Sequence, residues 1–264
     1  MKRGHWQILL AAALFLLALG LTLYPVVSNW YIGRHQSRIQ TEYREVLEQT
    51  DSAEIESIRE SAVAYNKTIT PGAAEEAYSQ ASIRLAAEDY VNQLNVSGSG
   101  IMGYVEIPKI GVDLPIYHGT GADSLDRGTG HLLGSSLPVG GESTHTIITG
   151  HSGMASQKMF TDLEQLREGD IFYLHVLDET LTYEVREIHT VLPHDTTYLG
   201  IEPGEDLCTL VTCTPTGVNT HRLLVHGSRI PYVPAEETEA SAEPYEENTD
   251  SNWEKQYWLG ILHL

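Results

Sequence analysis

Basic residues are scarce in this chain: 16 lysines and arginines face 36 aspartates and glutamates, for a formal net charge of −20 over 264 residues. A nucleic-acid partner is excluded, because binding phosphates requires basic patches. Cysteine is scarcer still, with Cys208 and Cys213 the only two. Along one strand they stand about 16 Å apart at ~3.3 Å per residue, beyond the reach of a disulfide. Their odd spacing also puts them on opposite faces, so Cys208 reads as a small buried hydrophobe and Cys213 as a free thiol. No His-Glu-x-x-His or Cys-x-x-Cys occurs among the 12 histidines and two cysteines, so no metal site is expected. The Cys-Gly-Ser-Cys-Trp sequence of papain-like enzymes is missing as well.

Long apolar runs are limited to one, residues 8–27, which carry no charge. As a helix the run would measure about 30 Å, enough to cross a bilayer. Lys2 and Arg3 precede it and place the N-terminus in the cytoplasm and the rest outside the cell. The alternative is a cleaved signal peptide. Its small-residue candidates Ala18 and Gly20 fall in mid-run, and the run exceeds a signal's apolar core of ~7–15 residues. An uncleaved single-pass anchor in the cell membrane, in contact with lipid, is the expectation.

Beyond the anchor, residues 34–66 repeat apolar positions at helical spacing, Thr70-Pro71-Gly72 interrupts them, and a second stripe runs from Ala74 to Leu94. From Met102 the texture changes to short β-branched runs separated by Gly and Pro. Strands are expected at 103–107, 112–117, 144–150, 171–176, 181–190, 207–213 and 221–228, with one short helix over 159–166. The fold class is mainly β, a closed barrel or sandwich behind N-terminal helices. Residues 235–254 form an acidic run that reads as a solvated tail, and the apolar residues 257–264 would make a helix of only ~12 Å.

Cys213 closes Thr209-Leu210-Val211-Thr212-Cys213-Thr214-Pro215, a strand that runs into a proline turn, and His151 ends the strand of residues 144–150. A thiol attacks a carbonyl only as thiolate, so Cys213 needs a base or cation beside it. His151 can act as that partner and can protonate a leaving amine. Arg222 offers a permanently charged fork to an oxyanion. In its strand Arg222 and His226 share one face while Leu223 and Val225 share the other, so the aliphatic pair would fill the barrel.

The segments Gly103-Tyr104-Val105-Glu106-Ile107-Pro108, Leu114-Pro115-Ile116-Tyr117-His118-Gly119, Gly130-His131-Leu132-Leu133-Gly134, Phe160-Thr161-Asp162-Leu163 and Asn219-Thr220-His221-Arg222 resemble the class C, pilus-assembling sortases, as does the Thr-Leu-x-Thr-Cys motif. The resemblance covers roughly residues 101–232. It implies an eight-stranded barrel with His151, Cys213 and Arg222 as catalytic residues, Thr212 and Thr214 as candidate substrate contacts, and no cofactor. It further implies cleavage of an LPXTG-type sorting signal through a thioester, then transfer of the acyl group to a lysine of the next pilin. Family members often carry an Asp-Pro-aromatic lid over the cysteine cleft. No Asp-Pro occurs here; a lid would fall at 67–80, with Tyr78 as the candidate plug, and the alternative for that segment is a plain turn between two helices. An aromatic residue often follows Cys-Thr-Pro in the family, where this chain has Thr216. Members usually end in a second membrane helix, and residues 258–262 look like the start of one.

The expected organisation is 1–30 as cytoplasmic end and anchor, 31–100 as a helical region, 101–233 as the catalytic barrel and 234–264 as the tail. Two other functions are weighed: a housekeeping-like sortase that anchors surface proteins to peptidoglycan, and a non-catalytic surface module that keeps the fold.

Overall fold

A computed structural model of the chain describes residues 2–70, 72–74, 88–154, 157–232 and 234. Residues Met1–Val233 form one compact unit and Pro234–Leu264 another; apart from Pro234, the second unit lies outside the described residues, and with it the expected acidic tail.

The first unit is built on a closed eight-stranded barrel: β1 (Ile101–Ile107), β2 (Val112–His118), β3 (Thr129–His131), β4 (Thr144–Thr149), β5 (Ile171–Val176), β6 (Glu179–Val191), β7 (Asp206–Thr214) and β8 (His221–Ile230). Their order around the barrel is β1-β2-β3-β4-β7-β8-β6-β5, with β5 pairing back on β1. Alternation sorts the side chains. Ile148, Cys208, Leu210, Leu223 and Val225 join the main core, whereas Ile147, Val211 and Leu224 point the other way. That outer row is not bare: Ala74, Leu132, Val191 and Leu199 complete a second apolar cluster over it.

β3 is only three residues long, too short for a periodic signal, and it was not among the expected strands. The loop after it finishes the edge of β4. Leu132 N donates to Ile147 O (2.9 Å) and Ser136 N to His145 O (2.9 Å). The hydroxyls of Ser135 and Ser136 accept from Ile147 N (3.2 Å) and His145 N (3.0 Å). The helix expected over 159–166 is instead a turn ending in one 3-10 turn, Leu163–Gln165.

Among the described residues the helices outside the barrel include α1 (Lys2–Gln49), α2 (Ser52–Asn66), α3 (Glu88–Asn92) and α4 (Ala122–Leu125). Asp51 separates the first two by capping α2, its carboxylate accepting from Ala53 N at 2.8 Å. α1 grips the barrel through Tyr43, which is buried and whose hydroxyl donates to Met102 O and accepts from Leu177 N, both at 3.1 Å. Gln40 Nε2 donates to Asp113 Oδ1 (2.7 Å) and Arg44 Nε to the Tyr104 hydroxyl (2.8 Å). Asn66, at the end of α2, exchanges two hydrogen bonds with the backbone of Leu137. Among the described residues no helix is long and apolar enough to cross a membrane. The anchor expected at residues 8–27 falls within α1 and partly on side chains outside those described.

Two buried histidine networks lie against the barrel wall. On one side Tyr90 of α3 bonds His131 Nδ1 through its hydroxyl (2.8 Å), and His131 Nε2 meets Ser136 O (2.8 Å). On the other, Thr209 Oγ1 joins His145 Nε2 (2.6 Å) to His226 Nδ1 (2.7 Å). Burial pushes His131 down to about 4. Burial, then the neighbouring His145, pushes His226 down to about 3.

Both values lie below the ~6.5 of a histidine in the unfolded chain, so the fold resists protonation there. The stability these groups support is complete above pH 6.5 and is lost as pH falls towards 4, by up to about 1.4 kcal/mol per pH unit for each histidine. The melting temperature should therefore drop steeply between pH 6.5 and 4. His226→Asn should flatten that slope, and an equally steep decline in the variant would rule out His226 as a source.

Candidate active site

β4, β7 and β8 are neighbours, and their ends meet on one rim. β4 runs parallel to β7 with Thr149 opposite Val211, and β7 runs antiparallel to β8 with Cys213 opposite Arg222. Carried two residues past Thr149, the first register sets His151 opposite Cys213. Bonds at the strand ends hold that alignment: Gly150 N donates to Val211 O (3.0 Å), Thr212 Oγ1 to Gly150 O (2.8 Å) and Ser152 Oγ to Cys213 O (2.6 Å). His151, Cys213 and Arg222 thus form one row across three strands. By the two-residue period, Cys213 shares the face of Val211, and Arg222 that of Leu224, outside the barrel.

The loop that carries His151 is shaped by packing. A side chain at position 150 would stand 2.7 Å from the Phe160 ring, so glycine is required for the ring to lie against the backbone. Phe160 N then donates to His151 O at 2.9 Å, turning the loop back on itself. His151 Nε2 faces the carboxylate of Asp126, just past α4, at 3.9 Å. This exceeds a hydrogen bond, and an exposed pair at that distance contributes little. The Arg222 guanidinium is oriented by the carbonyls of its own turn, with Nη1 donating to His221 O (3.1 Å) and Asn219 O (3.4 Å).

The two cysteines occupy opposite environments. Cys208 is fully buried, and burial pushes its thiol well above the usual range. Cys213 is half-buried at the strand end, and neither cysteine is in a disulfide. The flanking threonines also differ. Thr212 is buried with its hydroxyl committed to Gly150, whereas Thr214 is half-buried at the last position of β7. Among the described residues no group of three or more His, Cys, Asp or Glu stands together as a metal ion would need.

Tyr78 lies outside the described residues, as does most of 71–80. Ala74 is described, and it packs with Val211 and Leu224, two strand positions from Cys213 and Arg222 on the same face. Sequence reasoning overlooked Ser152 and Asp126. Ser152 is one of many serines until the β4–β7 register is known, and Asp126 reaches His151 from 25 residues upstream.

A family model described as the Sortase domain matches residues 105–230. The fold is similar to that of a Streptococcus pneumoniae Sortase C described for its catalysis and pilin substrate specificity, with 45% sequence identity and a TM-score of 0.69 over 74% of this chain and 97% of that one. It is also similar to a pilus-related Sortase C of Group B Streptococcus, with 39% identity and a TM-score of 0.66 over 73% and 97% of the two chains. The Sortase A of Streptococcus agalactiae is 26% identical over 221 residues, 83% of this chain and 82% of the relative.

The contrast between the cysteines has a direct readout. Iodoacetamide on the folded protein should add one adduct, mapped to Cys213 by peptide mass spectrometry, and unfolding should release Cys208 for a second. Alkylation of Cys208 in the folded state would mean that it is not sealed in the core.

Proposed function

The chain belongs to the sortase family of cysteine transpeptidases, and we propose that it is a pilus-assembling member in which Cys213, His151 and Arg222 carry the reaction. The observation that supports this reading most is the row these residues form across β4, β7 and β8. It brings together a thiol, an imidazole and a guanidinium from positions up to 71 residues apart in sequence, on a rim open to solvent.

The steps follow from the chemistry of the three groups. The thiol proton of Cys213 passes to His151, and the sulfur attacks the threonine carbonyl of an LPXTG-type signal. The electron pair moves to the carbonyl oxygen, where the Arg222 fork holds the charge. Collapse breaks the C–N bond to glycine, His151 protonates the departing amine, and the pilin remains as a thioester on Cys213. The lysine amine of the next pilin then attacks the thioester carbon and gives a proton to His151. The C–S bond breaks, leaving an isopeptide bond and the free cysteine.

The pilin reading draws support from the identity to Sortase C structures, 45% for the S. pneumoniae protein described for its pilin substrate specificity and 39% for the pilus-related one of Group B Streptococcus. The catalytic unit is assigned to residues 101–233. Membrane attachment is part of the proposal and rests on the uncharged run at 8–27 together with exposed Leu10, Leu14, Phe15, Leu16, Leu17 and Leu23 on α1. Residues 67–80 are proposed as a lid, on the strength of Ala74 packing over the outer face of β7 and β8.

Incubation with a pilin that bears the sorting signal, followed by mass spectrometry of the cross-link, tests the reaction. Wild type should give a lysine isopeptide, Cys213→Ala neither thioester nor polymer, and Arg222→Lys a rate lower by ~10²-fold or more, because an ammonium lacks the planar fork. Transfer only to peptidoglycan stem peptides would move the chain to the surface-protein-anchoring role.

Deleting residues 67–80 should accelerate alkylation of Cys213 by a small maleimide, with circular dichroism unchanged. An unaltered rate would mean that this segment does not cover the cleft.

A further inference from the structure

His151 stands where the sheet has already ended. The last backbone bond from β4 to β7 is Gly150 N to Val211 O at 3.0 Å. In a parallel ladder the next rung on that side would run from the N–H of residue 152 to Cys213 O. The chain turns away instead, because Gly153 takes a φ of +71° and its N–H goes to Thr161 Oγ1 at 3.0 Å. The acceptor is not abandoned. Ser152 Oγ reaches Cys213 O at 2.6 Å and supplies the missing rung from a side chain.

We infer that Ser152 is a positioning residue whose hydroxyl fixes the spacing between His151 and Cys213. Ser152 adjoins His151, and its acceptor is the carbonyl of the proposed nucleophile's own residue, so one hydrogen bond ties the two backbones together at the reacting pair. On the other side of His151 the twin bond runs the opposite way, from Thr212 Oγ1 to Gly150 O at 2.8 Å. His151 is thereby held between two hydroxyl–carbonyl bonds, one into each backbone. Without the Ser152 bond, the hydrogen bonds that tie the start of the loop to β7 among the described residues lie on the Gly150 side. Phe160 N to His151 O and Gly153 N to Thr161 Oγ1 close the loop on itself, while Lys158 Nζ to Ile110 O and Gln157 Nε2 to Asp126 O tie its far end to other segments, and none of these four bonds runs to β7. Proton transfer between thiol and imidazole requires contact within hydrogen-bond reach, and a displacement of about 1 Å suffices to impair such a step.

The inference rests on Cys213 and His151 being the reacting pair, so its test includes a measurement that needs no sorting signal. Wild type, Ser152→Ala and Ser152→Thr are compared in three ways: iodoacetamide alkylation of Cys213, steady-state cleavage of an LPXTG-type peptide, and melting temperature. Ser152→Ala should lower kcat roughly tenfold with KM within about twofold, and should slow alkylation several-fold as the backbone of His151 shifts away from Cys213. Ser152→Thr keeps a hydroxyl and should restore most of both rates, while all three proteins melt within a few degrees of each other. Wild-type kcat and alkylation in Ser152→Ala, or a threonine variant as impaired as the alanine one, would overturn the inference. If wild type fails to cleave the peptide, the proposed substrate is wrong, and the alkylation rates of the three proteins still decide the role of Ser152.

Discussion

The pairing of β7 with a parallel partner on one side and an antiparallel partner on the other is the constraint from which the site follows. Both ladders place a candidate catalytic residue at the same height, His151 by extension of β4 and Arg222 directly on β8, so Cys213 is flanked from two strands. Register matters here more than local conformation. Because side chains alternate, a slip of one residue in β7 would exchange Cys213 with its neighbours and turn it towards the core that holds Cys208 and Leu210. The apolar alternation of β7 opposes such a slip, since it would drag Cys208 and Leu210 out of the barrel.

Below that row the outer face is packed in layers. Val211 and Leu224 lie next, with Ile147 beside them and Ala74 and Leu199 over them. One step further, Thr209 links the two imidazoles of His145 and His226. A half-buried site resting on fully packed side chains has little room to relax, which is how a fixed row of reactive groups survives at the rim of a sheet. The same layering separates two kinds of histidine. Burial lowers the pKa of His131 and His226 in the wall, where His131 is bonded on both ring nitrogens and His226 through Nδ1, whereas His151 sits half-exposed at the edge.

Much of this could be read from the chain beforehand. Apolar-rich runs such as residues 207–213 and 221–228, bounded by turn residues, carry a strand signal, and the strands there were expected. Three-residue β3 carries no such signal, because it is fixed by partners on β2 and β4 rather than by its own composition. The stretch 159–166 has helical spacing, yet Phe160 and Leu163 serve the core from a turn, where tertiary packing outweighs local preference. Cys213, His151 and Arg222 stood out because each residue type is chemically distinctive at a strand end. Ser152 did not, since a serine gains meaning only from the carbonyl it meets.

β3 is short enough to leave β4 with unpaired backbone groups, and the serine loop answers them one by one through Ser135 and Ser136. The neighbouring strand β2 helps as well: Pro115 has no N–H to leave open, and its carbonyl is taken by the Thr129 hydroxyl at 2.9 Å. The β2–β3–β4 seam therefore presents little free margin. A bound peptide cannot join it as an added strand, which would need a row of vacant donors and acceptors. At this seam, selectivity for an extended substrate has to come from side chains and loops on the outer surface.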